Sequence, residues 1–253
     1  MIGLSFMALP VGVMIASLVS AVGIGGGILW MPFFIILLKL PPDTAVVTSL
    51  LVQTAGMGSG SIAFVRNQTA DLPLACFFLL LTLPGLAVGA MLTRLLSSAN
   101  LELTLGILTL TTAFLFVSAN QKYAETGLDR VEVKRARRYG WVVSIMAVAS
   151  GMLSVSIGEW LVPLMRSRLK LRMRSAVATS IVTIFGTCVA GSALHVSLGT
   201  SADPIALLWA VPGVIIGGQI GPRITEKINE RMLKEVFIFL LTLIGIHLIY
   251  NSY

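Results

Sequence analysis

The sequence predicts an all-α polytopic membrane protein made of two inverted repeats, each a re-entrant helical hairpin plus three transmembrane helices. Three observations carry that prediction: pervasive apolarity, motifs repeated at one spacing, and the distribution of basic residues between loops. Of the 253 residues, 56% are hydrophobic and only 11% charged, and the mean hydropathy of +0.93 lies outside the range of water-soluble domains. Stretches such as "LACFFLLLTLPGLAVGAML" (74–92) are apolar on every face, whereas membrane β-strands would alternate over about 10 residues. The spans are therefore helices, which satisfy their own backbone groups in lipid.

In chain order the apolar segments run over 4–22, 28–38, 44–65, 72–94, 101–119, 141–155, 158–166, 175–198, 204–222 and 232–250. The first has no basic residue before its apolar run, so it is expected to stay in the chain rather than be cleaved as a signal peptide. Several of the others reach the roughly 20 residues a helix needs to cross a bilayer core. Segments 141–155 and 158–166 do not: as helices they would span roughly 22 Å and about 14 Å. They read as one hairpin that enters and leaves on the same side. Segment 4–22 is long enough to cross alone, so the hairpin reading of 4–38 rests on the repeat.

The repeat has a constant offset of 131. "AVVTS" (45–49) matches "AVATS" (176–180), and the same offset pairs Gly27 with Gly158, Pro32 with Pro163, Lys39 with Lys170, Gly60-Ser61 with Gly191-Ser192 and Pro73 with Pro204. After a short gap "LPGLAVGA" (83–90) aligns with "VPGVIIGG" (211–218). The chain thus divides into a first repeat, 1–120, a polar linker, 121–140, and a second repeat, 141–253.

Basic residues in short loops collect on the cytoplasmic side. If 4–38 and 141–166 each crossed once, the 18 Lys and Arg residues would divide 11 against seven. If both are hairpins, Arg66, the six basic residues of 120–140, the five of 166–174 and the four of 223–234 share one face, a division of 16 against two. A hairpin plus three spans is an odd parity, so the second repeat lies upside down, as in secondary transporters. The hairpin tips then meet near the midplane, and the central loop 120–140 is cytoplasmic.

The first tip carries Gly23, Gly25, Gly26 and Gly27 ahead of a helix starting near Ile28. Such a break survives in lipid only where it is buried or lines a polar cavity. Glycines let a ligand approach free N–H groups at a helix start, which suits an anion; close helix packing is the other use of such glycines. The second tip, "LSVSIGEW", keeps only Gly158 and adds Ser154, Ser156 and Glu159 around Ile157. Two readings of Glu159 stand: a group that takes up a coupling proton, or one half of an ion pair with an arginine of the basic loop. Thr48, Ser49, Thr179 and Ser180 offer hydroxyls to a substrate or bond back to their own helices. Gln53 shares a helix face with Ser49.

Metal-site spacing, a Ser-His-Asp set and a Walker motif are all missing from the sequence, so no enzyme, metal or cofactor is expected. Cys76 and Cys188 sit in apolar segments as packing residues, and His195 and His247 near the outer ends of their spans. The net charge of +7 reads as a topology signal rather than a nucleic-acid footprint.

"GIGGGILWMP" followed by "AVVTSLL", with the degenerate copy "SIGEWLVP" and "AVATSIV", resembles the TauE/SafE family of sulfite exporters and related permeases over nearly the whole chain. The resemblance implies transport of a small sulfur-containing or organic anion, such as sulfite or an organosulfonate, across the bacterial inner membrane with proton or sodium coupling. The expected site holds the anion between the N–H groups of Gly25, Gly26, Gly27 and Ile28 and those of Ile157 and Gly158, with Ser156 and the Thr-Ser hydroxyls. Rocking of one half against the other would alternate access, and a homodimer is compatible with the plan. A non-transporting membrane scaffold is the competing class.

Overall fold

The first hairpin consists of α1 (Ala8–Val22) and α2 (Gly27–Pro32), the latter continued by a π-helical turn over Phe33–Leu37; α3 (Pro42–Arg66), α4 (Leu72–Leu95) and α5 (Ser98–Ser118) follow. After a short α6 (Val133–Ala136) and a 3-10 turn at Arg137–Tyr139, the series recurs as α7 (Gly140–Leu153), α8 (Gly158–Ser167), α9 (Met173–Ser197), α10 (Pro204–Ile224) and α11 (Glu230–Asn251). This computed structural model describes residues 5–118, 127–224 and 230–251; residues 121–126 of the expected linker lie outside them. Among the described residues four helices, α3, α4, α9 and α10, are long and apolar enough to cross a membrane. The helix α1 has 15 residues, or about 22 Å, so the first hairpin is as short as the second.

Local chemistry sets these boundaries. Pro42 stands at the first position of α3, where a missing N–H costs nothing. Asp71 caps α4 by accepting the Leu74 N–H at 3.3 Å, and Asp203 does the same for α10 from Ala206 at 2.6 Å. The ring of Pro32 removes a helical donor at the point where the helix loosens into its π turn, one recognised cause of such irregularity.

The 131-residue spacing governs the backbone as well as the motifs. Both α3 and α9 have 25 residues and start 131 positions apart. Left-handed residues occur in pairs at the same offset: Gly23 (φ 78) with Ser154 (φ 57), Lys39 (φ 52) with Lys170 (φ 59), and Gln68 (φ 53) with Gly199 (φ 87). The three non-glycine types among them adopt a conformation that L residues rarely take, so the turn geometry has outlasted the identity of the side chain.

The two halves interlace. Helix α1 packs along α10, and α7 along α4; α3 also contacts α10, as α9 contacts α4. The first two contacts are close enough that a Cβ at Gly217 would meet Val13 O and one at Gly89 would overlap Val148 O. At the centre α3 and α9 run antiparallel, Leu50 lying against Gly191 and Phe185 against Gly58. The buried core includes Ile24, Ile28, Trp30, Phe34, Leu50, Phe78, Val155 and Ile181, with Trp30 stacked on Phe34 at 5.1 Å. Large apolar side chains such as Leu80, Met91, Phe114, Ile145 and Leu208 point outward, as a lipid solvent requires.

One end of the bundle gathers the basic segments. Arg66, Arg174 and Arg223 border a common cleft. The linker is tied to the loop after α8: Leu128 N–H donates to Lys170 O at 2.8 Å, Arg172 N–H to Leu128 O at 2.8 Å, and the Arg172 guanidinium meets Asp129 at 3.1 Å. Val131 N–H reaches Asp71 Oδ2 at 2.8 Å, which joins the start of α4 to the same end.

Candidate functional site

Each hairpin turns on a left-handed residue. Gly23 ends α1, its N–H and that of Ile24 both donating to Val19 O at 3.0 and 3.1 Å; Ser154 ends α7. The helix α2 then starts with Gly26 O accepting from Leu29 and Trp30, and α8 with Ile157 O accepting from Trp160 and Leu161. The first N–H groups of a helix have no internal partner. Among the described residues, those of Gly25, Gly26, Gly27 and Ile28 donate to no protein group, nor do those of Ser156 and Ile157. The Gly158 N–H is taken by the Ser156 hydroxyl at 3.0 Å, so the second tip satisfies with a side chain what the first leaves open.

The tips touch. Gly25 faces Ser156, its own counterpart at the 131 offset, so closely that a Cβ there would overlap the serine side chain. A Cβ at Gly27 would overlap Ser154 O, and one at Gly158 would stand 2.7 Å from Gly23 O. Gly27 and Gly158 are needed because backbone meets backbone, and Gly25 because the Ser156 side chain fills the space a Cβ would take. The span helices bind the tips of the opposite hairpins: Ser180 Oγ donates to Gly23 O at 2.8 Å, and Ser154 Oγ donates to Ser49 Oγ at 3.0 Å.

Gln53 adds a link with no equivalent in the other half, where Ile184 holds its place. Its Nε2 lies 2.8 Å from Ser154 Oγ, 3.1 Å from Ser154 O and 3.1 Å from Ser49 Oγ. That ring of oxygens fixes the amide's orientation and directs Oε1, buried and without a hydrogen-bond partner among the described residues, toward Gly25. Glu159 is 2% exposed and neither carboxyl oxygen has a partner among the described residues. The ion pair with a basic-loop arginine, one of the two readings of Glu159, is not formed among the described residues. At the 131 offset Glu159 replaces Ile28.

Both threonines of the Thr-Ser motifs are engaged across the repeat. Thr48 Oγ1 donates to Thr44 O at 2.7 Å and accepts the Asp203 N–H at 3.0 Å; Thr179 Oγ1 accepts the Asp71 N–H at 2.9 Å. Each therefore anchors the start of a span from the other half, and only the serines of the motifs reach the tips. His195 is a satisfied core residue, Nε2 lying 2.7 Å from Gly151 O. Sequence reasoning did not single out Asp71 and Asp203. Their signal was the Ala-Asp pair at 70–71 and 202–203, a helix-capping residue just ahead of each matched proline.

The family model described as sulfite exporter TauE/SafE matches residues 8–248. The chain is 29% identical to the probable membrane transporter protein YunE of Bacillus subtilis (strain 168), over 98% of this chain and 99% of that protein. It is 24% identical to the probable membrane transporter protein YjnA of the same organism, over 93% and 97%. A shorter match, 35% identical, links 36% of this chain to 16% of the probable membrane transporter protein MamO of Paramagnetospirillum magneticum (strain ATCC 700264 / AMB-1). No solved structure matches the chain significantly.

Proposed function

The chain belongs to the TauE/SafE family of membrane transporters, and from that premise we propose that it is a secondary transporter of a small sulfur-containing or organic anion, such as sulfite or an organosulfonate, bound between the two hairpin tips. One observation carries the site: buried, open N–H donors at the first tip lie beside the buried Gln53 amide oxygen, which has no partner among the described residues, and the residue that follows Gly158 at the second tip, Glu159, carries a buried carboxyl that has none either. Polar groups left unsatisfied at membrane depth are costly and mark functional positions. The closed tips exclude an anion. To admit one they part, exchanging the bonds of Ser154 to Ser49 and Gln53, and of Ser180 to Gly23, for bonds to its oxygens.

The halves are proposed to be inverted repeats in the membrane. The antiparallel course of α3 and α9, equivalent helices by offset, supports this. The basic end is the cytoplasmic one by the positive-inside rule, in a bacterial inner membrane. Interlacing makes rocking of one sequence half against the other a shear through the closest helix contacts. The moving bodies proposed instead are mixed: α1, α3 and α10 in one, α4, α7 and α9 in the other. Glu159 is the proposed proton carrier, since a dry, unpaired carboxyl is best accommodated with its proton on.

Flux of radiolabelled sulfite and isethionate in proteoliposomes tests the site. Gly26→Val, whose side chain would enter the space of Trp30, and Gln53→Leu should each lower flux at least about tenfold, the scale of a lost buried polar contact. Wild-type flux in both variants would place the substrate elsewhere.

A further inference from the structure

At the basic end, a cleft of about 390 Å³ is lined by Ile62, Ala63, Arg66, Asn67, Arg174, Gln219 and Arg223. It lies between the last turn of α3, the first turn of α9 and the last turn of α10. Three arginines, an asparagine and a glutamine thus line, from three helix ends, a volume that suits a small ligand. Its floor is rigid: Gln219 Nε2 donates to Ser59 O at 2.7 Å and Ser59 Oγ at 2.9 Å, and Ser59 Oγ donates in turn to Ile215 O at 2.9 Å.

The repeat supplies an internal control. At the opposite end of the bundle, the 131 offset places Ser197 where Arg66 stands and Asp43 where Arg174 stands, and the shorter spacing of the α4/α10 motif places Leu95 opposite Arg223. Helix ends of this geometry therefore do not demand arginine. The positive-inside rule accounts for the side on which basic residues lie, but it counts Lys and Arg alike and asks for no convergence. All three basic residues of the cleft are Arg, the side chain that grips oxoanions through paired N–H donors.

A way inward is also marked. Ser20, one turn before the Gly23 tip, is buried, and its Oγ has no hydrogen-bond partner among the described residues. It lies against Gly60 and Gly221, which adjoin Ser59 and Arg223 in the chain. A free hydroxyl thus stands between the cleft floor and the first tip.

We infer that the cleft is an oxoanion-binding site, for a sulfonate, sulfate or phosphate group, distinct from the hairpin tips, and that it loads the transported anion from the basic face. The loading role rests on the transport reading; the binding does not. The test uses detergent-purified full chain and thermal stabilisation by sodium sulfate or methanesulfonate against chloride at constant ionic strength. Replacing all three arginines by Lys keeps charge and topology but loses paired donors, and should raise the half-saturating concentration about tenfold, the scale of one bidentate contact. Replacing all three by Gln should abolish saturable stabilisation, while Gly26→Val should leave it intact even if flux is lost. Equal half-saturation in wild type and the Lys triple variant overturns the proposal, and that comparison stands even if the Gln variant does not fold. Stabilisation by short-chain phosphatidylglycerol alone, with sulfate and methanesulfonate inert, supports the site, assigns it to a lipid phosphate and overturns loading.

Discussion

Gly25 and Ser156 stand 131 positions apart, at matching places in the two sequence repeats, and they meet: a Cβ at Gly25 would fall inside the Ser156 side chain. Only one of the pair can carry a side chain. Gly25→Ala should therefore push the tips apart, with a stability loss of about 1–3 kcal/mol from overpacking, read as a fall in melting temperature. Combining it with Ser156→Gly should recover most of the loss, a coupling that a double-mutant cycle measures. Strict additivity of the two changes would mean that the tips do not touch in the membrane.

Thr48 and Thr179 act as mutual anchors, each holding the N–H of the aspartate that caps a helix of the other repeat. Thr48→Val and Thr179→Val should each cost about 1 kcal/mol, the worth of one such hydrogen bond, with flux reduced only in proportion to folded protein. Flux lost well beyond the stability change would instead point to hydroxyl contact with substrate.

Glu159→Gln keeps the shape of a protonated carboxyl and its donor while removing the proton that can leave. The variant should be at least as stable as wild type, because a buried group without a charge partner contributes no favourable ion pair. Its anion flux should lose dependence on an imposed pH gradient. A gradient response identical to wild type would remove Glu159 from coupling.

The inverted arrangement proposed above would put Lys39 and Arg168 on opposite sides of the membrane. In a background lacking Cys76 and Cys188, an impermeant thiol reagent applied to intact cells should label Lys39→Cys and leave Arg168→Cys unlabelled until the cells are opened. Labelling of both from outside would sink the 16-against-two topology.

The helices were legible because apolar length and proline position are local properties. The boundaries of α3 and α9 fall where the motif offset places them, and the second hairpin follows from segments too short to cross. The shortness of α1 was hidden because residues 4–22 are apolar throughout, and composition does not register where a helix begins. At the tips, the glycines were legible as a backbone break, but their use against Ser154, Ser156 and Gly23 was not: a contact between residues 131 apart leaves no local trace. The same limit concealed the engagement of Thr48 and Thr179 by Asp203 and Asp71. Glu159 stood out through its charge, whereas its full burial without a partner became visible only in the fold.

The interlaced packing has a consequence for how the chain is made. Helix α1 leaves the ribosome about 180 residues ahead of the surface it packs against, α10. Through most of synthesis the glycine-rich hairpin must wait in or beside the insertion machinery with its polar backbone uncovered, so contacts distant in sequence should make assembly slow. Two fragments divided between α5 and α6 should accordingly be degraded when expressed singly and accumulate when expressed together, each supplying the partner surface the other needs.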